Sequence, residues 1–171
     1  YKLSGNEEEL AKVVSIMQKY DIGYFIYIGG NDSMDTVKKL SDYTTSHAID
    51  IKIVGVPKTN DNDLNGIDHS PGFGSAAKYI ASCVREVAYD TSIYSIKSVH
   101  IIEAMGRNAG WLTGATALAK AEDCDGPDLI YLPEVPFDIK KFLEKVKELL
   151  EKQTSVVIAV SEGIKLADGR Y

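Results

Sequence analysis

Long apolar runs are what this chain of 171 residues most lacks. A membrane helix needs ~18 or more continuous apolar residues, and no stretch approaches that, so no span is expected. Residues 1–7, YKLSGNE, hold no apolar signal core, so neither a secretory nor a transit segment is read there, and the missing initial Met implies that the true N-terminus is absent. The expected location is cytoplasmic. Cysteine is scarce as well: Cys83 and Cys124 stand far apart, with no second Cys or His at metal-ligand spacing, and they read as buried thiols. The three histidines, His47, His69 and His100, lie at spacings that suggest neither a metal triad nor a nucleophile–base pair, and they receive no chemistry. Positive charge is in deficit. A net charge of −6 argues against a broad nucleic-acid surface, which would concentrate Lys and Arg, but leaves room for local basic residues to hold a small phosphate. Internal repeats, low-complexity stretches and linkers are missing too, so residues 1–171 read as one α/β domain.

What is present is a regular alternation of helix and strand signals within an ordinary composition, 44% apolar and 26% charged. Ser4 to Glu7 resembles a capping box, and Leu10, Val13, Val14 and Met17 follow at helical spacing, so a helix is predicted over about 6–20. A strand is expected at 24–28, then a helix capped by Ser33 and carrying Val37 and Leu40, then a strand at 51–56. The polar stretch 60–70 reads as a loop. Gly74 opens a long helix with Ala77, Ile80, Val84 and Val87 on one side. Strands are expected at 99–103, 128–132 and 156–160, a closely packed helix at 109–121, and a helix capped by Asp138 with the stripe Phe142, Val146, Leu149 and Leu150. Parallel neighbours need a crossover and a helix is the usual one, so five such strands predict an α/β fold, a parallel sheet with helices on both faces.

Ligands in such sheets bind beyond the carboxyl ends of the strands. That rule gathers residues 29–33, 57–63, 105–107, 133–134 and 161–163 on one edge. In the first, Gly29 and Gly30 join a strand to a helix N-terminus, where backbone N–H groups favour an anion, yet Asp32 and Asp35 would repel one unless positive charge lay between. The second, PKTNDND, would serve as a solvated polar turn; it would equally let Lys58 and Thr59 hold a phosphate while Asp61 or Asp63 takes a proton from a substrate hydroxyl. In the third, Gly106 permits close backbone approach, and Arg107 offers a forked donor to phosphate or carboxylate. Glu134 could accept hydrogen bonds from sugar hydroxyls or sit at the surface. Trp111, Tyr79, Tyr89 and Tyr94 could stack on a nucleotide, although core or interface packing is the simpler reading.

Taken together, GGNDS at 29–33, PKTNDND at 57–63, PGFG at 71–74, MGR at 105–107 and PE at 133–134 resemble the phosphofructokinases, in order and at compatible spacing over roughly 24–163. The resemblance implies a Rossmann-like three-layer fold and transfer of phosphate to the 1-hydroxyl of fructose 6-phosphate with Mg2+, a step of glycolysis. It implies that Asp61 is the general base, with Thr59 and Asp63 holding the reacting end of the sugar. Met105, Gly106, Arg107 and Glu134 match sugar-phosphate contacts. Gly29, Gly30, Asn31, Asp32 and Ser33 match the phosphoryl-donor and magnesium loop, with Asp32 and Asn31 as the metal positions. A homo-oligomer is implied as well.

Two positions bear on the donor. ATP-using members of the family generally have Gly where this sequence has Asp32 and Lys58. The Asp32 carboxylate would repel a nucleotide's α-phosphate, and Lys58 adds charge suited to compact pyrophosphate, so the chain resembles the pyrophosphate-dependent branch. An ATP-dependent enzyme and a non-catalytic sugar-phosphate-binding subunit are the alternatives. Two departures stand out: Asn31 replaces the usual loop aspartate, and Ser98 replaces an arginine that reaches across a subunit border, with Lys97 the nearest substitute. The family's early glycine-rich donor loop and its later His and Arg contacts fall outside these residues. An incomplete fragment with little turnover of its own is the expectation.

Overall fold

Strand and helix alternate from end to end in the computed structural model, which describes residues 3–171. The chain divides into two compact units, one running to Thr59 and adding Leu64–Pro71, the other made of Asn60–Asp63 and Gly72–Tyr171. The boundary between Thr59 and Asn60 falls inside the PKTNDND motif.

The first unit contains α1 (Glu7–Lys19), β1 (Tyr24–Gly29), α2 (Asn31–Ser46) and β2 (Lys52–Pro57). The two strands run parallel, from Tyr24 opposite Lys52 to Gly29 opposite Pro57. Leu10, Val14 and Met17 recur on one side of α1 and are buried with Leu40 of α2 and Ile51, while Phe25 and Ile53 pack onto them from the sheet. Side chains alternate along a strand, so Tyr24, Ile26 and Ile28 of β1, with Val54 and Val56 of β2, point the other way and are exposed.

The second unit contains α3 (Phe73–Ser92), β3 (Ser98–Ala104), α4 (Trp111–Ala115) with a 3-10 turn at Thr116–Ala119, β4 (Leu129–Tyr131), α5 (Ile139–Lys152) and β5 (Ser155–Ser161). Its sheet is parallel with order β3-β5-β4. Alternation along β5 accounts for its two covered faces: Val157 packs with Val84 of α3 and Ala119, whereas Val156 and Ile158 pack with Val146 of α5.

Several local expectations are corrected. The cap of α1 is Asn6, whose side chain accepts from Glu8 N–H, and Ser4 bonds to Glu9 instead of Glu7. Helix α2 begins at Asn31 with Gly30 as its N-cap, so Ser33 lies within the first turn. The segment read as one helix at 109–121 is only five α-helical residues and a 3-10 turn, in keeping with its glycines and Thr113 and Thr116. The sequence reading places five strands in one sheet, whereas hydrogen bonds divide them two and three. Alternation identifies a strand, but its partner is chosen by packing with elements far along the chain. Asp138 caps α5 as expected, accepting from Lys140 and Lys141 N–H. Of the thiols, Cys124 is buried and Cys83 only half-buried.

Ile158 is fully enclosed between β3, β4 and α5. Ile158→Val is expected to cost about 1 kcal/mol and Ile158→Ala about 2–5 kcal/mol in urea unfolding; equal midpoints for the two variants would contradict this packing.

Candidate active site

In the first unit, the end of β1 lies beside the end of β2 because the strands are parallel and in register. Lys58 N–H donates to the Gly29 carbonyl at 2.8 Å, and Met34 N–H donates to that of Gly30 at 3.0 Å. A methyl added at Gly30 would sit 3.5 Å from the Lys58 carbonyl and 3.9 Å from Thr59 Cβ, so the 29–33 turn is flush against Lys58 and Thr59. At Gly29 a methyl would overlap the Ser33 side chain. Thr59 is buried and its N–H donates to the Pro71 carbonyl. Asp32 and Lys58 are exposed. Asp35 is engaged by Lys39 at 2.6 Å, one turn along α2.

In the second unit, the ends of β3, β4 and β5 bring 105–107, 133–134 and 161–163 together. Asn60 donates to Met105 Sδ at 3.6 Å, which fastens the 60–63 loop to the end of β3. Asn62 is buried with φ of 57°, and the Oδ1 atoms of Asp61 and Asp63 are shielded from solvent. Gly106 takes φ of 126°, which strongly favours glycine, and its N–H donates to Glu162 Oε1 at 3.1 Å. Its carbonyl accepts from Ser161 Oγ at 2.7 Å, and Ser161 Oγ in turn accepts from Gly163 N–H at 3.0 Å. Gly163 lies so close to the Arg107 backbone that no Cβ would fit. Glu134 Oε1 accepts from Gly110 N–H at 2.7 Å.

Residues 2–170 match the phosphofructokinase family. The chain belongs to that family. A pyrophosphate--fructose 6-phosphate 1-phosphotransferase of Xanthomonas campestris pv. campestris (strain B100) is 44% identical over the whole of this chain and 42% of its own length. A pyrophosphate-dependent phosphofructokinase of Nitrosospira multiformis superimposes with a TM-score of 0.89 at 40% identity, over 100% of this chain and 43% of that one. An ATP-dependent 6-phosphofructokinase 2 of Clostridium perfringens (strain 13 / Type A) is 34% identical over 91% of this chain and 39% of its own length. This phosphofructokinase chain thus spans about two fifths of the length of these relatives.

The sequence reading gathered residues 161–163 at the edge but gave Ser161 and Glu162 no task. Their position directly after the last strand was the available signal. Glu134, read as a sugar-hydroxyl acceptor, has one oxygen on a backbone amide. Ser98 begins β3 with its hydroxyl 3.1 Å from His100 Nε2, and Lys97 just before it is exposed. Trp111, Tyr79, Tyr89 and Tyr94 are exposed, so none of them is a core residue among those described. Enzymes of this family generally use Mg2+. Among the described residues no three or more His, Cys, Asp or Glu converge as a metal cage, and no helix is long and apolar enough to cross a membrane. Mg2+ typically takes one or two protein carboxylates and completes its shell with substrate phosphates and water, a demand that exposed Asp32, with Asn31 adjacent, fits.

Two glycines separate crowding from mere sequence. Gly163→Ala must displace the Arg107 backbone and is expected to lower the melting temperature, whereas a methyl at Gly114 in α4 meets nothing within 4 Å. Gly114→Ala is expected to leave stability unchanged or raise it by up to about 1 kcal/mol; thermal unfolding of both variants checks the contrast.

Proposed function

We propose that the full-length protein is a cytoplasmic, homo-oligomeric 6-phosphofructokinase that transfers phosphate from pyrophosphate to the 1-hydroxyl of fructose 6-phosphate in glycolysis. Residues 1–171 are then part of one α/β domain of that subunit. The observation that carries the reading is the seating of Lys58 against the Gly30 turn that bears Asp32. In this reading Lys58 supplies positive charge to the phosphoryl donor, and the Asp32 carboxylate disfavours a nucleotide. The 44% identity to a protein named for pyrophosphate, against 34% to one named for ATP, supports the same donor.

In this mechanism Asp61 accepts the proton of the sugar 1-hydroxyl as that oxygen attacks a phosphorus of pyrophosphate, and the bond from that phosphorus to the bridging oxygen breaks. The products are fructose 1,6-bisphosphate and orthophosphate. Thr59 and Asp63 hold the reacting end of the sugar, while Met105, Gly106, Arg107 and Glu134 hold the rest of it. Gly29, Gly30 and Ser33 bind the donor, and Lys58 neutralises charge on it, which matters because phosphoryl transfer depends chiefly on positioning and electrostatics. Mg2+, held by Asp32 and Asn31 together with donor oxygens, would supply further neutralisation.

A coupled assay of the full-length enzyme with each donor tests the reading; efficient turnover with ATP and none with pyrophosphate would overturn the donor assignment in favour of the ATP-dependent alternative. Asp32→Gly is expected to raise kcat/KM for ATP, and an unchanged value would count against Asp32 as the selector. Asp61→Asn is expected to lower kcat by about 100- to 10,000-fold while titration calorimetry still detects fructose 6-phosphate. Retention of sugar binding in a wild-type enzyme with no turnover would favour a non-catalytic subunit.

A further inference from the structure

Two glycines let the start of α2 descend onto the sheet of the first unit. On β1, a methyl added at Gly29 would overlap the Ser33 side chain. On β2, Gly55 shares the covered face with Ile53 and Pro57, between exposed Val54 and Val56. A methyl there would lie 3.0 Å from Met34 Sδ, 3.3 Å from Val37 Cγ1 and 3.4 Å from Met34 Cε, all closer than the ~3.5–4.0 Å that such atoms prefer. Met34 and Val37, three positions apart in α2, therefore rest on bare β2 backbone. Met34 is flexible and can swing aside, but Val37 is β-branched and keeps one rotamer in a helix, so a side chain at Gly55 has to lift α2. The strand is held in register by β1, with Tyr27 opposite Gly55. Asn31, Asp32 and Ser33 stand just ahead of Met34, whose N–H closes the turn on the Gly30 carbonyl at 3.0 Å. Lys58 follows Gly55 by three residues, its N–H on the Gly29 carbonyl at 2.8 Å. The acid on the helix and the cation after the strand thus belong to two elements whose separation is set where α2 meets Gly55.

We infer that Gly55 is a positioning residue that sets the depth of α2 on β2, and through it the spacing of residues 31–33 from Lys58 for the phosphoryl donor. This rests on the proposed binding of pyrophosphate by residues 29–33 and Lys58. It predicts a selective signature: affinity for pyrophosphate falls as bulk is added at position 55, and affinity for the sugar phosphate does not, because the strand stays paired with β1 while the helix moves.

Steady-state kinetics of the full-length enzyme with fructose 6-phosphate and pyrophosphate test it. Gly55→Ala is expected to raise KM for pyrophosphate about threefold and Gly55→Val about tenfold, with KM for fructose 6-phosphate within about twofold in both, because small misplacements of binding groups are costly. Rescue separates positioning from lost stability. Val37→Ala removes the contact that cannot swing aside, so Gly55→Ala combined with Val37→Ala is expected to recover most of the affinity for pyrophosphate, although its melting temperature stays below that of the wild type. An unchanged KM for pyrophosphate in Gly55→Val, a matching rise in KM for both substrates, or a double variant no better than Gly55→Ala overturns the inference. If a Gly55 variant does not fold, Met34→Phe crowds the same contact from the helix side and is expected to give the same selective rise; its absence there overturns the inference equally. Failure of the underlying reading has its own signature: Lys58→Ala would leave KM for pyrophosphate untouched, or the wild-type enzyme would not turn over pyrophosphate, and either result removes the donor assignment together with this role of Gly55.

Discussion

Parallel pairing in register is the constraint on which the rest of this molecule depends. In the first unit it sets Gly29 opposite Pro57, so the two motifs that follow β1 and β2 begin side by side although 28 positions separate them in the register. In the second unit it sets Ala104 opposite Ser161, and the segments after β3 and β5 meet for the same reason. Antiparallel pairing would send the start of one strand to the end of its neighbour and scatter these residues. Within each unit, a parallel sheet collects its strands' exits on one edge, where ligands of such sheets generally bind.

Glycine then decides how closely the exits approach. Gly30 lies flush against Lys58, Gly163 against the Arg107 backbone, and Gly106 adopts a conformation that a side chain would strain. Two carboxylates complete the second of these arrangements, Glu162 on the Gly106 amide and Glu134 on that of Gly110. These acids do for the 105–110 segment what a cap does for a helix, giving otherwise unsatisfied N–H groups a partner and fixing the direction in which the chain leaves. A segment held this way keeps little conformational freedom to lose.

Which elements form was largely readable, because their cause is local. The stripe of Leu10, Val14 and Met17, the Asp138 cap and the apolar run of β5 each act within a few residues and are found where periodicity puts them. The misjudged details had nonlocal causes. Ser33 has the chemistry of a cap, yet Gly30 takes that place because β1 ends against β2 and the chain must turn at once. Residues 109–121 are small and apolar enough for a helix, but α4 gives way to a 3-10 turn after Ala115, where Thr116 Oγ1 bonds back to the Thr113 carbonyl. The contact of Glu134 with the Gly110 amide was not legible at all, because only the path of a distant segment brings Gly110 to it.

By itself, the amino-acid sequence determined the order of helices and strands, the α/β class and the motifs that mark a phosphofructokinase, since periodicity, capping chemistry and motif spacing are properties of neighbouring residues. Tertiary structure alone decided which strands pair, where the chain divides, and which carboxylates face backbone amides. Those outcomes turn on contacts between residues tens of positions apart, such as Ser161 with Gly106 and Glu134 with Gly110, where a hydrogen bond exists only after the sheet has set its register.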